Sequence, residues 1–245
     1  MIPFLTLVRV AFRTLFIQAG FSPDAMQTLG LLFALDPAWR HLYPDDERRR
    51  EAVRRHLTPF NTHPYAAAAL VGGILHYEEK LARGEGSPEE VTRFKQTMMG
   101  PFAALGDGFF WLSLRPATGA LGVALVPLLG LWAPLVFLVL YNAVHLATRG
   151  WLFARGYRLG SALVLRVSAL KVPMWSNRLR AISALCAGGM GAWFAVQEAS
   201  LSSEWAVLGA LGIGVLGVWA LEKKVSPLAV LYGAAGVAVL AGALW

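Results

Sequence analysis

The sequence has little charge for its length, and it has a single cysteine. Charged residues make up 15% of 245 positions, whereas soluble domains usually carry about a quarter. Hydrophobic residues make up 56%, which excludes intrinsic disorder, because disordered chains are poor in apolar residues. The lone cysteine, Cys186, excludes a disulfide-stabilised scaffold. In water such a chain would expose large apolar patches, so the composition predicts a membrane protein.

Motifs of catalysis and of secretion are also missing. The chain has no P-loop, no HExxH zinc motif and no nucleophile elbow. No basic residue precedes the apolar start at Ile2, so we expect targeting to reside in internal apolar segments rather than in a signal peptide. His76 and Glu79 could share a metal ion, but no third ligand is evident, and a helix-end ion pair is favoured. We expect no metal and no cofactor.

Residues 1–60 are predicted to form interfacial or cytoplasmic helices. Apolar residues from Phe4 to Ala19 recur at helical spacing, opposite Arg9 and Arg13. This amphipathic N-terminal helix could lie in the membrane interface or pack on the rest of the protein, and the sequence leaves both open. Ser22-Pro23 predicts the start of a second helix, and Asp36-Pro37 predicts its end.

A third helix is predicted to begin at Pro44-Asp45, with its acids first and its bases last, as the helix dipole favours. Its arginines, from Arg48 to Arg55, could bind anionic lipid or nucleic acid. Asp46, Glu47 and Glu51 stand among them, however, and this mixture favours a solvated cytoplasmic face. We therefore expect no nucleic-acid partner.

Residues 61–148 are predicted to form a re-entrant and spanning core. The apolar run 66–75 is too short to cross a bilayer, which takes about 20 residues. Gly100-Pro101 and Gly106-Asp107-Gly108 then predict two breaks in an apolar region. Irregular backbone at membrane depth is tolerated only where it is buried or lines a cavity. The two breaks therefore favour a re-entrant hairpin.

Several transmembrane helices are predicted in the rest of the chain. Residues 117–148 carry no charge and form either one kinked helix or two pieces divided at Pro127 and Pro134. Residues 149–180 hold seven basic residues and no acid, which predicts a cytoplasmic segment. The C-terminal region 181–245 contains three charge-free stretches, at 181–197, 205–221 and 225–245. Together these features predict an all-α, polytopic, single-domain membrane protein.

Two polar groups in this apolar chain are candidate binding sites. Asn61, Thr62 and His63 stand at a broken helix start before Pro64. Asp107 lies between two glycines in the predicted hairpin, where an ionisable group is costly and so is a functional candidate. Amide and carboxylate groups suit a polyol, because they bond hydroxyls as donors and acceptors. Asp107 could instead cap a helix N-terminus. His145 is interpreted as a hydrogen-bonded buried histidine.

These residues belong to an ordered set of motifs that resembles the enzyme IID component of mannose-type sugar phosphotransferase systems. The set spans roughly residues 10–160, and its order makes it more specific than any single piece. It comprises Phe12-Arg13, Phe16-Ile17-Gln18-Ala19, Met26-Gln27-Thr28-Leu29-Gly30, Phe60-Asn61-Thr62-His63-Pro64, Glu78-Glu79, Lys95 to Pro101, Gly106-Asp107, Phe110-Trp111, Leu114-Arg115-Pro116, Tyr141-Asn142, Arg149, Gly156-Tyr157 and Gly160.

The resemblance implies a subunit of a phosphoenolpyruvate-dependent sugar permease in the bacterial cytoplasmic membrane. Such a chain would form the sugar path with an enzyme IIC subunit, in a hetero-oligomer, and would carry no catalytic residue. Cytoplasmic IIA and IIB components would phosphorylate the hexose or amino sugar. Asn61 becomes a candidate sugar contact, with Thr62, His63 and Asp107 nearby, and Pro64, Gly100, Pro101 and Gly106 become structural motif positions.

Two alternatives stand beside this interpretation. The first is a degenerate IID paralogue with a regulatory or scaffolding role, which keeps the fold and binds the cytoplasmic components. The second is a membrane-embedded hydrolase that uses Asp107, Glu79 and a histidine, although no spacing in the sequence supports it.

Overall fold

The computed structural model describes residues 1–198 and a few positions between 212 and 237. The regular secondary structure of these residues is helical. No strand is present in this part of the chain, which confirms the all-α prediction at the level of fold class. The chain divides into two compact units, residues 1–187 and 188–245. All the sites described below lie within the first unit.

The first helix, α1 (Phe4–Arg13), has two apolar faces. Val10 on one face is fully buried, and Leu7 packs against the core beside it. Phe4, Leu5 and Phe12 on the other face are exposed by 77%, 70% and 61%. The helix therefore packs on the rest of the protein, as the second alternative predicted, and it leaves an apolar surface outward; its position in the membrane interface stays a prediction.

Helix α2 (Thr28–Leu42) differs from its prediction at both ends. Ser22 does not cap it, because residues 22–26 form a turn in which Met26 adopts a φ of 55°. Asp36-Pro37 does not end it either, since Ala34, Leu35 and Ala38 are fully buried on both sides of the proline. Core packing outweighs the local cost of an interior proline here.

Helix α3 (Asp46–His56) begins as predicted, with the Asp45 carboxylate accepting from the Arg48 N–H at 3.0 Å. Helix α4 (Ala67–Ala82) follows, and every residue from Ala67 to Leu75 is buried. It packs most extensively against α8 (Ala133–Leu159), and both helices place a glycine at the contact. A Cβ on Gly72 or Gly156 would lie 2.3 Å from a carbonyl oxygen of the other helix, so the close crossing requires glycine.

The predicted break at Gly100-Pro101 is wrong, because α5 (Pro88–Gly106) continues through Pro101. The sequence Ser87-Pro88-Glu89-Glu90 predicts a capping box, and this box does begin the helix. Phe102 is buried just beyond the proline, and packing of this kind holds a helix together across a missing N–H. The winding changes only at Asp107, where a π-helical segment (Asp107–Leu114) leads into α6 (Arg115–Ala124).

The charge-free region 117–148 is divided between two long helices, α6 and α8, with a short helix between them. After α6 the chain makes one short helix, α7 (Val126–Leu129), and a turn before α8. Helices α6 and α8 pack on each other, so the chain reverses between them. At this apolar tip, Leu128, Leu131 and Trp132 are exposed by 79%, 96% and 70%. By length and composition, one helical stretch in the described residues, Val126–Ala169, could cross a membrane.

Helix α9 (Leu163–Ala169) and helix α10 (Val172–Glu198) follow. The predicted apolar stretch 181–197 is helical as part of α10. The stretches predicted at 205–221 and 225–245 lie almost entirely outside the described residues.

Candidate functional site

The loop between α3 and α4 carries Asn61, and the buried side chain of Gln27 hydrogen-bonds to the backbone of this loop. The Gln27 amide donates from Nε2 to the Thr62 carbonyl at 2.7 Å, and its Oε1 accepts from the Thr62 N–H at 3.1 Å. The Gln27 N–H also donates to the Phe60 carbonyl at 2.8 Å. Phe60 and Thr62 are buried as a result, whereas Asn61 between them is exposed.

Two threonines complete the support of this loop. Thr28 Oγ1 accepts from the Phe60 N–H at 3.1 Å. Thr62 Oγ1 donates to the Met99 carbonyl of α5 at 3.1 Å, close to Pro101. Thr62, a predicted binding residue, is 3% exposed, so in this structure its hydroxyl joins the loop to α5.

His63 is seated directly against Gly106. A Cβ on Gly106 would lie 2.3 Å from the Cβ of His63, so only glycine allows this approach. The imidazole stacks on Phe110 of the π-helical segment, with ring centroids 5.2 Å apart. Its Nδ1 accepts from the Tyr65 N–H at 3.2 Å, and within residues 1–198 its buried Nε2 has no partner. The Gly106 contact thus brings the Asn61 loop to the Gly106-Asp107 motif.

Tyr65 joins this cluster to α8. Its ring stacks on His145 at 4.3 Å, and its hydroxyl accepts from the Tyr141 hydroxyl at 3.2 Å. The Arg149 guanidinium lies 5.4 Å from the centre of the Tyr65 ring and donates to the Pro64 carbonyl at 3.1 Å. We call this region, formed by His63, Tyr65, Phe110 and His145 at the start of α4, the aromatic end.

Within residues 1–198, the charged groups at the aromatic end have no partner of opposite charge. Asp107 is half-buried and makes no side-chain hydrogen bond or ion pair to residues 1–198. Its suggested role as a helix cap is wrong, because the backbone on both sides of it is already helical. Arg149 is 6% exposed and donates to the carbonyls of Thr14 and Pro64, but to no carboxylate in the described chain.

The opposite end of α4 was not predicted as a site, and it holds a fully buried carboxylate. Glu78 accepts from Tyr43 Oη at 2.7 Å and from Arg55 Nε at 3.0 Å. It also pairs with His56 Nε2 at 2.9 Å. The residues share α2, α3 and α4, so this network ties three helices together. We call Glu78 and Glu79, with their partners, the carboxylate end.

Burial sets the protonation of the partners of Glu78. Burial lowers the pKa of His56, more than the neighbouring Glu78 carboxylate raises it, so the imidazole is neutral. Burial also raises the pKa of Tyr43, with Glu78 adding to the effect, so the phenol stays a donor. A clue in the sequence is that Glu78 closely follows the apolar run 66–75. Arg55 and His56 are available to pair with it.

Glu79 and His76 neither share a metal nor pair with each other. Glu79 accepts from the Tyr157 hydroxyl and from the Ile2 N–H, the latter at 3.1 Å. His76 Nδ1 bonds to the Tyr157 carbonyl at 2.9 Å. Among the described residues no group of His, Cys, Asp or Glu could hold a metal ion.

The structure separates the residues of the suggested hydrolase. Glu79 lies near the C-terminal end of α4, whereas Asp107 lies beside His63 before its start. The 16 residues of α4 span about 24 Å at 1.5 Å per residue. Asp107 and Glu79 therefore cannot act on one substrate atom.

A family model described as the IID component of the mannose/fructose/sorbose family of phosphotransferase systems matches residues 5–245. This chain belongs to that family. The match extends beyond the motif set of residues 10–160 and includes the C-terminal region.

Three relatives show how the similarity is distributed over this IID chain. The mannose-specific EIID component of Escherichia coli K12 is 41% identical over 157 residues, which cover 63% of this chain. That match spans only 56% of the E. coli protein's own length. The fructose permease IID component of Bacillus subtilis is 27% identical, with 93% of this chain and 91% of that one covered. The sorbose-specific EIID component of Klebsiella pneumoniae is 29% identical, with 97% and 95% covered.

Solved structures share the fold. A chain of the mannose transporter ManYZ, in complex with microcin E492, is 28% identical with a TM-score of 0.63. The similarity covers 100% of this IID chain and 97% of that one. A second chain, from a structure described as a membrane protein, has a TM-score of 0.74. These relatives are permease or transporter components, and they give no support to a regulatory or scaffolding paralogue.

Proposed function

We propose that this IID chain is a membrane subunit of a phosphoenolpyruvate-dependent sugar permease, with Asn61 as a sugar contact. The observation that carries the proposal is the support of the Asn61 loop. Buried hydrogen bonds with Gln27 and Thr28 fix the backbone on both sides, and Asn61 between them is exposed. A rigidly held, unused amide is suited to bond two hydroxyls of a sugar.

Asp107 and His63 extend this proposed site. The contact between Gly106 and His63 brings the Gly106-Asp107 motif to the Asn61 loop, and the Asp107 carboxylate accepts no hydrogen bond from residues 1–198, so it can accept from hydroxyl groups. A π-helical segment frequently marks a functional position in a helix, and Asp107 begins the one observed here. In this proposal the sugar is a hexose or an amino sugar.

An enzyme IIC-like membrane subunit is the proposed partner, in a hetero-oligomer. The apolar surface of α1 and the apolar tip between α6 and α8 leave many large side chains exposed. Surfaces of this size need lipid or another protein to cover them. We propose that the tip enters the bilayer, and that IIC completes the environment of Asp107.

The proposed location is the bacterial cytoplasmic membrane, crossed several times, with residues 149–180 and the IIA and IIB components on the cytoplasmic side. The support is the acid-free basic composition of that segment. Single cysteines at Ser168 and Ser202, in a Cys186→Ala background, test the orientation. Ser202 should react with an impermeant reagent added to intact cells, and Ser168 should be protected. The reverse pattern contradicts the proposed orientation.

The test of the proposed function replaces Asn61 with Leu, which keeps the size and removes both hydrogen-bonding groups. Leaving sugar hydroxyls unpaired costs about 1–3 kcal/mol, so uptake per complex should fall on the order of ten- to a hundredfold. Sugar uptake is measured beside the membrane abundance of the complex. Asn177→Leu, at an exposed amide of α10, is the matched control and should leave uptake unchanged.

Two results would contradict this proposal in different ways. Unchanged uptake of Asn61→Leu at equal abundance shows that the amide does not contact the sugar. A parallel loss of abundance and uptake assigns the residue a structural role in the loop.

A further inference from the structure

An open apolar groove in residues 1–187 has no role in the proposed sugar site. Its volume is about 570 Å³, and it lies between the start of α4, the α5–π-helical junction, α8, α9 and the start of α10. Aliphatic and aromatic side chains form its walls, chiefly Leu105, Phe109, Trp151, Leu152, Val167 and Trp175. A volume of this size is typical of a small-ligand site. A sugar would find few partners for its hydroxyls against such walls.

The rim of the groove is cationic. Arg155 lies over the ring of Trp151 at 5.9 Å, and Arg178 lies over the ring of Trp175 at 5.0 Å. Each of these tryptophans lines the groove, so each guanidinium group lies against a side chain of the groove wall. The surrounding segment 149–180 contains seven basic residues and no acid. An occupant must therefore be apolar along its length and anionic at one end.

We propose that this groove binds one acyl chain of an anionic phospholipid, with Arg155 and Arg178 holding its phosphate group. Tryptophan and arginine are enriched where a membrane protein meets the lipid headgroups, and basic pockets between helices bind anionic headgroups. The apolar walls match the acyl chain, and the two guanidinium groups match the phosphate as charge-assisted donors. The site would place an ordered lipid beside Phe109 and Phe110, the latter being the residue on which His63 stacks.

The experiment uses the full chain, with any membrane partner that co-purifies, in detergent micelles. The probes are dioleoyl phosphatidylglycerol and dioleoyl phosphatidylcholine, which share acyl chains but differ in net charge. Bound lipid is counted by native mass spectrometry across a titration. At about a five- to sixfold gain for each of the two arginines, phosphatidylglycerol should bind about thirtyfold more tightly than phosphatidylcholine. Glycerophosphate without acyl chains should not displace it.

Two pairs of variants separate the rim from the walls. R155Q/R178Q should remove the preference for phosphatidylglycerol, whereas R158Q/R166Q, at exposed arginines of the same segment that do not lie over a groove tryptophan, should keep it within twofold. A147F fills the groove and should abolish the binding of both lipids. A143F, one turn away on α8 and outside the groove, should bind as the parent does.

Several results would overturn the proposal. Equal affinity of the parent for the two lipids would show that the rim arginines do not select an anionic headgroup, and this comparison needs no variant. Equal losses in the two arginine pairs reduce the effect to the general charge of the segment. Unchanged binding in A147F shows that the lipid lies elsewhere. Lipid release on assembly with a partner subunit, together with loss of assembly in A147F, makes the groove a protein interface instead.

Discussion

The charged groups at the two ends of α4 differ in whether they have side-chain partners in residues 1–198. At the carboxylate end, Glu78 is fully buried and bonds to Tyr43, Arg55 and His56. At the aromatic end, Asp107 has no side-chain partner in residues 1–198, and Arg149 donates only to carbonyl groups there. Helix α4 thus connects a hydrogen-bonded network of charged groups at one end to charged groups that have no partner of opposite charge in residues 1–198 at the other.

This difference separates the stability of the fold from its function. Buried charges that are fully hydrogen-bonded fix the arrangement of neighbouring helices, and removing one partner leaves the others uncompensated. Charges without partners are costly, and proteins retain them where a ligand or another subunit completes the site. The carboxylate end is therefore interpreted as an anchor, and the aromatic end as the place where sugar and partner bind.

The largest effect is expected from Glu78→Gln at the carboxylate end. The change leaves the buried His56 and the partly buried Arg55 without their carboxylate, and breaking such a network costs about 3–5 kcal/mol of folding free energy. Membrane abundance and thermal stability of the complex should both drop sharply, while uptake per surviving complex is kept. Glu85→Gln, at a carboxylate whose side chain is 57% exposed, is the control and should cost less than about 1 kcal/mol. If Glu78→Gln is as stable as the parent, the carboxylate end does not anchor the three helices.

An intermediate effect is expected from Gln27→Leu, which releases the backbone of Thr62. Its two lost hydrogen bonds should lower uptake per complex by about tenfold, because the Asn61 amide is no longer held in place. Gln27→Glu keeps the acceptor for the Thr62 N–H, loses the donor and should give a smaller loss.

A double variant shows whether Gln27 acts through Asn61. In an Asn61→Leu background, Gln27→Leu should add little further loss of uptake, since the group that it positions is already absent. Fully additive losses would show that Gln27 serves the fold in general and not the presentation of Asn61.

The smallest effect is a pH dependence of stability from His56. Because its pKa is lower in the folded than in the unfolded chain, the unfolded state binds more protons below about pH 6.5. Stability should therefore fall as the pH decreases from about 7 to 5, by at most about 1.4 kcal/mol per pH unit. Melting temperatures of the parent and His56→Gln over this range measure it. A variant with the same slope as the parent would assign the effect to other groups.

The sequence predicted the elements that depend on local signals. The capping box at Ser87, the start of α3 and the helical, apolar 117–148 region all follow from neighbouring residues. The predictions at Pro37 and Pro101 failed because both prolines lie next to residues that are buried by distant parts of the chain. Burial of that kind is set by tertiary packing, which outweighs the local preference of proline.

The candidate site was predicted only in part for the same reason. Asn61, His63 and Asp107 are recognisable as polar groups in an apolar chain. Gln27 lies far from them in the sequence, and its role arises from a contact across 35 positions. The motif that contains Gln27 is part of the family resemblance. The resemblance therefore pointed to this position, but it did not predict the hydrogen bonds of Gln27 to Thr62.

The most direct test of the account compares sugar binding at the two ends of α4. Equilibrium binding of the proposed sugar substrate to the purified complex is measured for the parent, Asn61→Leu and Glu79→Gln. The account predicts that Asn61→Leu weakens binding on the order of ten- to a hundredfold, while Glu79→Gln binds as the parent does once folded complex is counted. Parent-like binding by Asn61→Leu, with weakened binding by Glu79→Gln, would place the sugar at the carboxylate end and contradict the account.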